Sequence, residues 1–235
     1  MAIRAVVWDI DDTVFDHSGA ARTGALAYFG ETGLLRRFPS HEAALARWEE
    51  ATDVHYRRFT SRELTFAGQR RERVRDFLDR ELDDAAADAW FEGYRRHYEG
   101  AWALFPDVLP ALDALTPAYR HGLLSNSGVA AQHRKLTALG VRERFEVLLC
   151  SDELGHAKPA PEAFHAVCAA LRLAPREVAY VGDRPDLDAE GADAAGLRGI
   201  WLDRRGSGGL TGAGSVPLRR ITGLGELPAL LALPD

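Results

Sequence analysis

Lysine is nearly absent from this chain of 235 residues. Of its 29 basic residues only Lys135 and Lys158 are lysines, and the others are arginines. A chain that reaches for arginine whenever a surface needs positive charge makes each lysine stand out. Cysteine is as scarce. Two scattered thiols, Cys150 and Cys168, cannot build a disulfide framework or a zinc cluster, and both read as small core residues. No apolar run approaches the roughly 20 residues of a membrane helix, and the apolar start is too short for a signal-peptide core. Cytoplasm is the expected location. A positive excess is also missing. The formal charge of −6 argues against nucleic acid, which wants a basic face, yet leaves room for a small anion drawn by local positive charge. What is present is ordinary globular composition, 46% apolar and 27% charged. The length suits one large domain or a core with a smaller insert.

The apolar rhythm changes twice along the chain. Residues 3–9 form a short apolar run ending in an acid, the pattern of a buried strand. From about residue 19 to 100 the spacing is helical, as at Ala43, Ala44, Leu45 and Trp48 and again at Val74, Phe77 and Leu78. That stretch predicts four or so helices and no strand. After Phe105-Pro106 the pattern predicts helix 107–115, strand 119–124, helix 129–139 closed by Gly140, strand 145–150 and helix 161–172. Strand 177–181 then runs into Gly182-Asp183, a helix near 187–195 ends at Gly196, and strand 198–202 follows. Residues 206–215 read as a flexible loop, and a strand at 218–221 and a helix at 224–232 close the chain. Alternating strands and helices imply right-handed crossovers and a parallel sheet. The predicted fold class is α/β: a three-layer Rossmann-like core (1–16 and 101–235) interrupted by an all-helical insert (17–100).

In open parallel sheets ligands bind beyond the carboxyl ends of the strands. Four polar clusters fall there: Asp9 to Thr13, Ser125-Asn126, Lys158, and Asp183 to Asp188. Alternation puts Asp9 and Asp11 on one side of an extended segment. Two carboxylates that close repel, so a cation sits beside them or one holds a proton. Magnesium suits the place, since it takes hard oxygen ligands and keeps waters beside one or two carboxylates. Asp9 and Asp183 would supply them.

Asp-x-Asp-x-Thr after a first strand, then a serine at a strand end, then a lysine, then Gly-Asp-x-x-x-x-Asp, resembles the haloacid dehalogenase superfamily. The order and spacing are those of its phosphatase-rich branch, with a helical cap between the first and second motifs. The likeness covers residues 2–203. Each motif alone also reads as a turn or a helix cap; the four in order carry the resemblance.

The resemblance implies roles. Asp9 would be the nucleophile, forming an aspartyl-phosphate. Asp11 would protonate the leaving alcohol and then deprotonate the attacking water, with its pKa raised by the neighbouring carboxylate and by partial burial. Ser125 and Asn126 would bind the phosphoryl group. Lys158 would neutralise charge on it and on Asp9. Magnesium would be held by Asp9, Asp183, the backbone carbonyl of Asp11 and, through water, Asp188. Arg184-Pro185 stands where a small hydroxyl residue is common, and Asp186 adds a third acid, which leaves open which acid supports the metal.

Within the family, Asp11 disfavours a dehalogenase, which does not need that acid. A Schiff-base phosphonate hydrolase is excluded, because no lysine precedes residue 135. A phosphomutase stays open, as does a silent phosphate-ligand-binding protein of the same fold. The expected activity is magnesium-dependent hydrolysis of a small phosphomonoester by closure of the cap over the core. The expected partner is a small phosphorylated metabolite, without nucleic acid or membrane, and the expected assembly is a monomer or homodimer. Seven arginines crowd residues 57–75 of the insert. Arg58 and Arg62, near Phe59, are the candidates for substrate binding, and the rest read as a solvated helix face.

Overall fold

The computed structural model describes residues 2–206 and 219–233. The chain divides into two compact units, residues 1–16 with 103–235, and residues 17–102. Strand β1 (Ala5–Trp8) is wholly buried, as a central parallel strand covered on both faces must be. The helical unit follows: α1 (His17–Glu31), α2 (His41–Thr60), α3 (Phe66–Leu78) and α4 (Asp84–Gly100). A 3-10 turn, Leu34–Arg37, stands between the first two. Ser40, Thr65 and Asp83 cap α2, α3 and α4 by accepting from the amides of Ala43, Gly68 and Ala86 at 3.1, 3.0 and 2.8 Å. The core of this unit is aromatic: Phe29 stacks on Phe77 at 4.7 Å, and Trp48 meets Phe77 and Tyr94 edge-on at 5.2 and 4.9 Å.

The α/β unit resumes with α5 (Val108–Leu115), β2 (Arg120–Ser125), α6 (Val129–Ala138), β3 (Val147–Cys150), α7 (Ser151–Leu154) and α8 (Pro161–Leu171). It continues through β4 (Val178–Gly182), a π-helical turn (Pro185–Glu190), α9 (Gly191–Ala194), β5 (Arg198–Leu202), β6 (Arg219–Ile221) and α10 (Leu227–Ala232). Among the described residues six strands lie in the order β3-β2-β1-β4-β5-β6, each paired in parallel with its neighbours. This is the α/β sheet expected. The order reverses beside β1, and the crevice at such a switch point is where doubly wound sheets bind ligands. Trp8 is buried and donates through Nε1 to Nδ1 of His121 at 3.2 Å. Burial pushes His121 down to about 4, so it accepts as a neutral ring.

Two of these expectations change in the structure. The helical unit runs to Trp102 rather than residue 100, because Ala101 and Trp102 extend the last turn of α4 by donating to His97 and Glu99. The chain then rejoins the sheet through a short stem: the amide of Asp16 donates to Ala103 O at 3.0 Å, and that of Phe105 to Val14 O at 3.3 Å. The single helix expected near 187–195 is a π-turn followed by one turn of α-helix. The loop expected at 206–215 lies, beyond Gly206, outside the described residues. Among the described residues no helix is long and apolar enough to cross a membrane. Both cysteines are buried and unpaired, and burial lifts the Cys150 and Cys168 thiols to about 12 and about 11, which makes them inert core residues.

Candidate active site

Three carboxylates meet at the carboxyl ends of β1 and β4. Asp9 follows β1, and its amide donates to Val181 O at 2.9 Å, in register with the neighbouring strand. Asp183 follows β4. Asp188 comes back to them from the π-turn. Oxygens of the three lie within 4.8 Å of one another. The turn widens where the Ala189 amide reaches Arg184 O at 3.4 Å, five residues back; the Asp188 amide donates to the same oxygen at 2.9 Å, and Asp188 Oδ2 accepts from the Arg184 amide at 3.0 Å. π-turns of this kind recur at functional sites. Gly182 makes the room, since a Cβ there would stand 2.3 Å from Cγ of Asp188. Of the two acids left open by the sequence, Asp188 joins the cluster, whereas Asp186 pairs with Arg184 on the surface at 3.1 Å.

Lys158 sits inside the cluster, 6% exposed. Its Nζ donates to Asp9 Oδ1 at 2.6 Å, to Asp188 Oδ1 at 2.7 Å and to the Tyr180 hydroxyl at 2.8 Å. An ammonium has three donors, and all three are engaged. The Tyr180 hydroxyl donates onward to Leu124 O at 3.0 Å, so β2 and β4 both fix the lysine. Tyr180 carried no signal in the sequence beyond that of a core aromatic.

One buried cation among three acids leaves surplus negative charge. Burial, with Asp188 and Asp183 adding and Lys158 opposing, raises Asp9 to about 8. Burial and the neighbouring Asp188 raise Asp183 to about 7. Lys158 is held well above its usual value by Asp9, Tyr180 and Asp188 against its own desolvation. The cluster therefore holds protons near neutrality that a divalent cation would displace, and three oxygen donors of this kind fit magnesium.

The consequence for stability has a definite sign. A carboxyl raised in the native state stabilises the fold fully below its unfolded value near 4. It loses that contribution as pH climbs through the raised value. In chelator-treated protein, Asp183→Asn should leave the thermal midpoint almost unchanged at pH 4. It should raise it relative to wild type by an amount that grows up to pH 7 and then levels. A difference that shrank with rising pH would contradict the assignment.

Asp11 is not among the three gathered carboxylates. Beyond Ile10 the chain is no longer extended: Asp12 adopts a left-handed φ of 60°, and its amide turns back to Phe15 O at 2.7 Å. The Asp11 carboxylate accepts from Lys135 Nζ at 2.5 Å on Oδ1 and from Gln132 Nε2 at 2.8 Å on Oδ2. Ser125, 2% exposed, ends β2 within 3.4 Å of the same Gln132 amide.

Asn126, expected at the substrate, also ties the lysine segment: its Nδ2 donates to Lys158 O at 2.8 Å and its Oδ1 accepts from the Lys158 amide at 2.7 Å. Its whole amide braces the backbone that carries the lysine. Arg58 and Arg62 belong to the helical unit. The guanidinium of Arg58 faces Glu63 at 3.4 Å and His55 at 3.3 Å, and Arg62 is exposed at a turn with φ 64°. Most other arginines of this run are tied within the same unit. Arg71 grips Asp84 and Asp88 at 2.5 and 2.6 Å. Arg75 grips Glu72 at 2.6 Å. Arg73 stacks over Trp48 and Phe91 at 4.7 and 4.8 Å. Arg58, Arg71 and Arg75 thus offset part of the local positive excess against acids of the same unit.

A family model of haloacid dehalogenase-like hydrolases matches residues 3–196. A phosphoserine phosphatase of Thermus thermophilus is 30% identical over 230 residues, covering 86% of this chain and 89% of that protein. A glyceraldehyde 3-phosphate phosphatase of Methanopyrus kandleri is 29% identical, covering 86% of this chain and 84% of its own. Among solved structures, the HAD-hydrolase YfnB of Bacillus subtilis, bound to magnesium, shares the fold with a TM-score of 0.77 at 20% identity. That match covers 99% of this chain and all of the other. With its motif acids gathered at the switch point of a parallel sheet, the chain belongs to the haloacid dehalogenase-like hydrolases.

Proposed function

We propose that the chain is a magnesium-dependent phosphatase that hydrolyses a small phosphomonoester through an aspartyl-phosphate on Asp9. The observation that carries this is the buried Lys158 ammonium touching Asp9 and Asp188, with Asp183 in the same cluster. The names of the two phosphatase relatives support the reaction class. Asp9 Oδ attacks phosphorus, and the leaving alcohol takes a proton from Asp11. Water then attacks the acyl-phosphate, Asp11 takes a proton from it, and phosphate departs as the Asp9 carboxylate is restored. Lys158 offsets the charge carried by Asp9, and Ser125 serves the phosphoryl oxygens.

Asp9, Asp183 and the Asp11 backbone carbonyl would hold the magnesium ion. Asp188, whose two oxygens already accept from Lys158 and the Arg184 amide, would support it through water. The ion supplies charge neutralisation at the phosphoryl group. The helical unit is read as the cap from which substrate choice is drawn, and the partner as a small phosphorylated metabolite met by a cytoplasmic monomer or homodimer. Two buried thiols without a disulfide support a reducing compartment.

Purified protein should release phosphate from 4-nitrophenyl phosphate with magnesium, and about a hundredfold more slowly in chelator. No release, or equal release in both, would reject the reading. Transfer of the phosphoryl group to a second sugar hydroxyl in place of water would make it a phosphomutase.

A further inference from the structure

The two lysines of the chain are both buried, each 6% exposed, and each meets one of the two motif acids. Lys158 bonds Asp9, and Lys135 bonds Asp11. The proposed reaction uses the first and leaves the second without a role. Lys135 lies in the last turn of α6, with its Nζ 4.1 Å from the centroid of the Phe15 ring. A desolvated ammonium is costly unless it is paired, and Asp11 Oδ1 at 2.5 Å is its acid partner. Gln132, three residues earlier and hence on the same helix face, takes the other oxygen. The same Nε2 stands 3.4 Å from Ser125 Oγ.

Resting on the phosphatase reading, we propose that Lys135 and Gln132 are positioning residues that clamp the Asp11 carboxylate by both oxygens and so aim it at the leaving-group oxygen. Neither touches the reacting atoms. A free aspartate at a turn rotates about two side-chain bonds; two donors on one rigid helix leave it one orientation. Proton transfer demands such alignment, because a general acid acts only within hydrogen-bond reach of its target.

Leaving groups distinguish aim from mere folding. Phenyl phosphate expels a basic phenoxide that needs a proton as the bond breaks, whereas 2,4-dinitrophenyl phosphate expels an anion stable without one. The quantity to measure is kcat/KM, which reports the first chemical step. In Lys135→Met it should fall about 30-fold for phenyl phosphate and less than about threefold for the dinitrophenyl ester. Lys135→Arg, which keeps the charge, should recover most of the phenyl phosphate rate. Gln132→Leu should show the same slant, smaller in size, and it tests the clamp should Lys135→Met fail to fold. Equal losses on both esters, or none on phenyl phosphate, would overturn the clamp in an enzyme that is otherwise active. Wild-type protein that cleaves neither ester overturns the phosphatase reading itself, and the clamp with it.

Discussion

Asp9→Asn should lose on the order of a thousandfold or more in kcat, about 4 kcal/mol of barrier, while the fold survives. The amide is a poor nucleophile toward phosphorus, and no neighbouring group replaces it: Asp183 is turned to the same cluster, and Asp11 is held by α6. Stability should move the other way. Burial holds the Asp9 carboxyl up at about 8, so the native state resists its ionisation, and a neutral asparagine removes that penalty. Lys158 keeps Asp188 as a partner at 2.7 Å. At pH 9 in chelator the variant should melt no lower than wild type, and at pH 4 the two should differ little. Turnover assays and thermal melts on one preparation read both effects. Wild-type turnover in Asp9→Asn would remove it as nucleophile; a large drop in melting temperature would show that the loss of activity came from unfolding.

Lys158→Met should damage both properties together. The side chains of Lys158, Asp9 and Asp188 are 4, 9 and 1% exposed, so removing the cation leaves two carboxylates facing each other away from water. Breaking such a buried pair costs about 3–5 kcal/mol, roughly 10 °C in melting temperature for a protein of this size. The deficit should shrink as pH falls, because protonated carboxyls no longer repel. Activity should drop at least about a hundredfold, since the charge opposite Asp9 is gone. Magnesium should raise the melting temperature of this variant more than that of wild type, since it supplies the missing positive charge. An unchanged melting temperature at pH 8 would show that the lysine is not the cation balancing these acids.

The sheet was legible in the sequence because its strands are buried on both faces and so read as short unbroken apolar runs, as in Ala5–Trp8 and Val178–Gly182. The acids were legible for a related reason: each polar cluster interrupts such a run at its carboxyl end. What could not be read was side-chain direction after the strand stops. Strict alternation puts Asp11 on the side of Asp9, and nothing in the spelling announces that Gln132 and Lys135 of α6 bond its carboxylate. The bracing of the Lys158 backbone by Asn126 could not be read either, since only the folded chain brings residue 158 beside it. Arg71 and Arg75 looked like surplus charge because their acidic partners, Asp84 and Asp88, lie more than a helical turn away in sequence. Lys135 and Gln132 had no motif to announce them; the one clue was that a chain so poor in lysine had placed one there.

The stem at the mouth of the helical unit separates the two halves of the chain's design. The chain departs and returns on hydrogen-bonded neighbours, Val14 to Asp16 against Ala103 to Phe105, a gap of about one strand spacing. Any segment whose two ends can be brought that close could be grafted there without shifting the register of β1. The eighty-odd residues between can therefore change in length or sequence without moving the strand that carries Asp9.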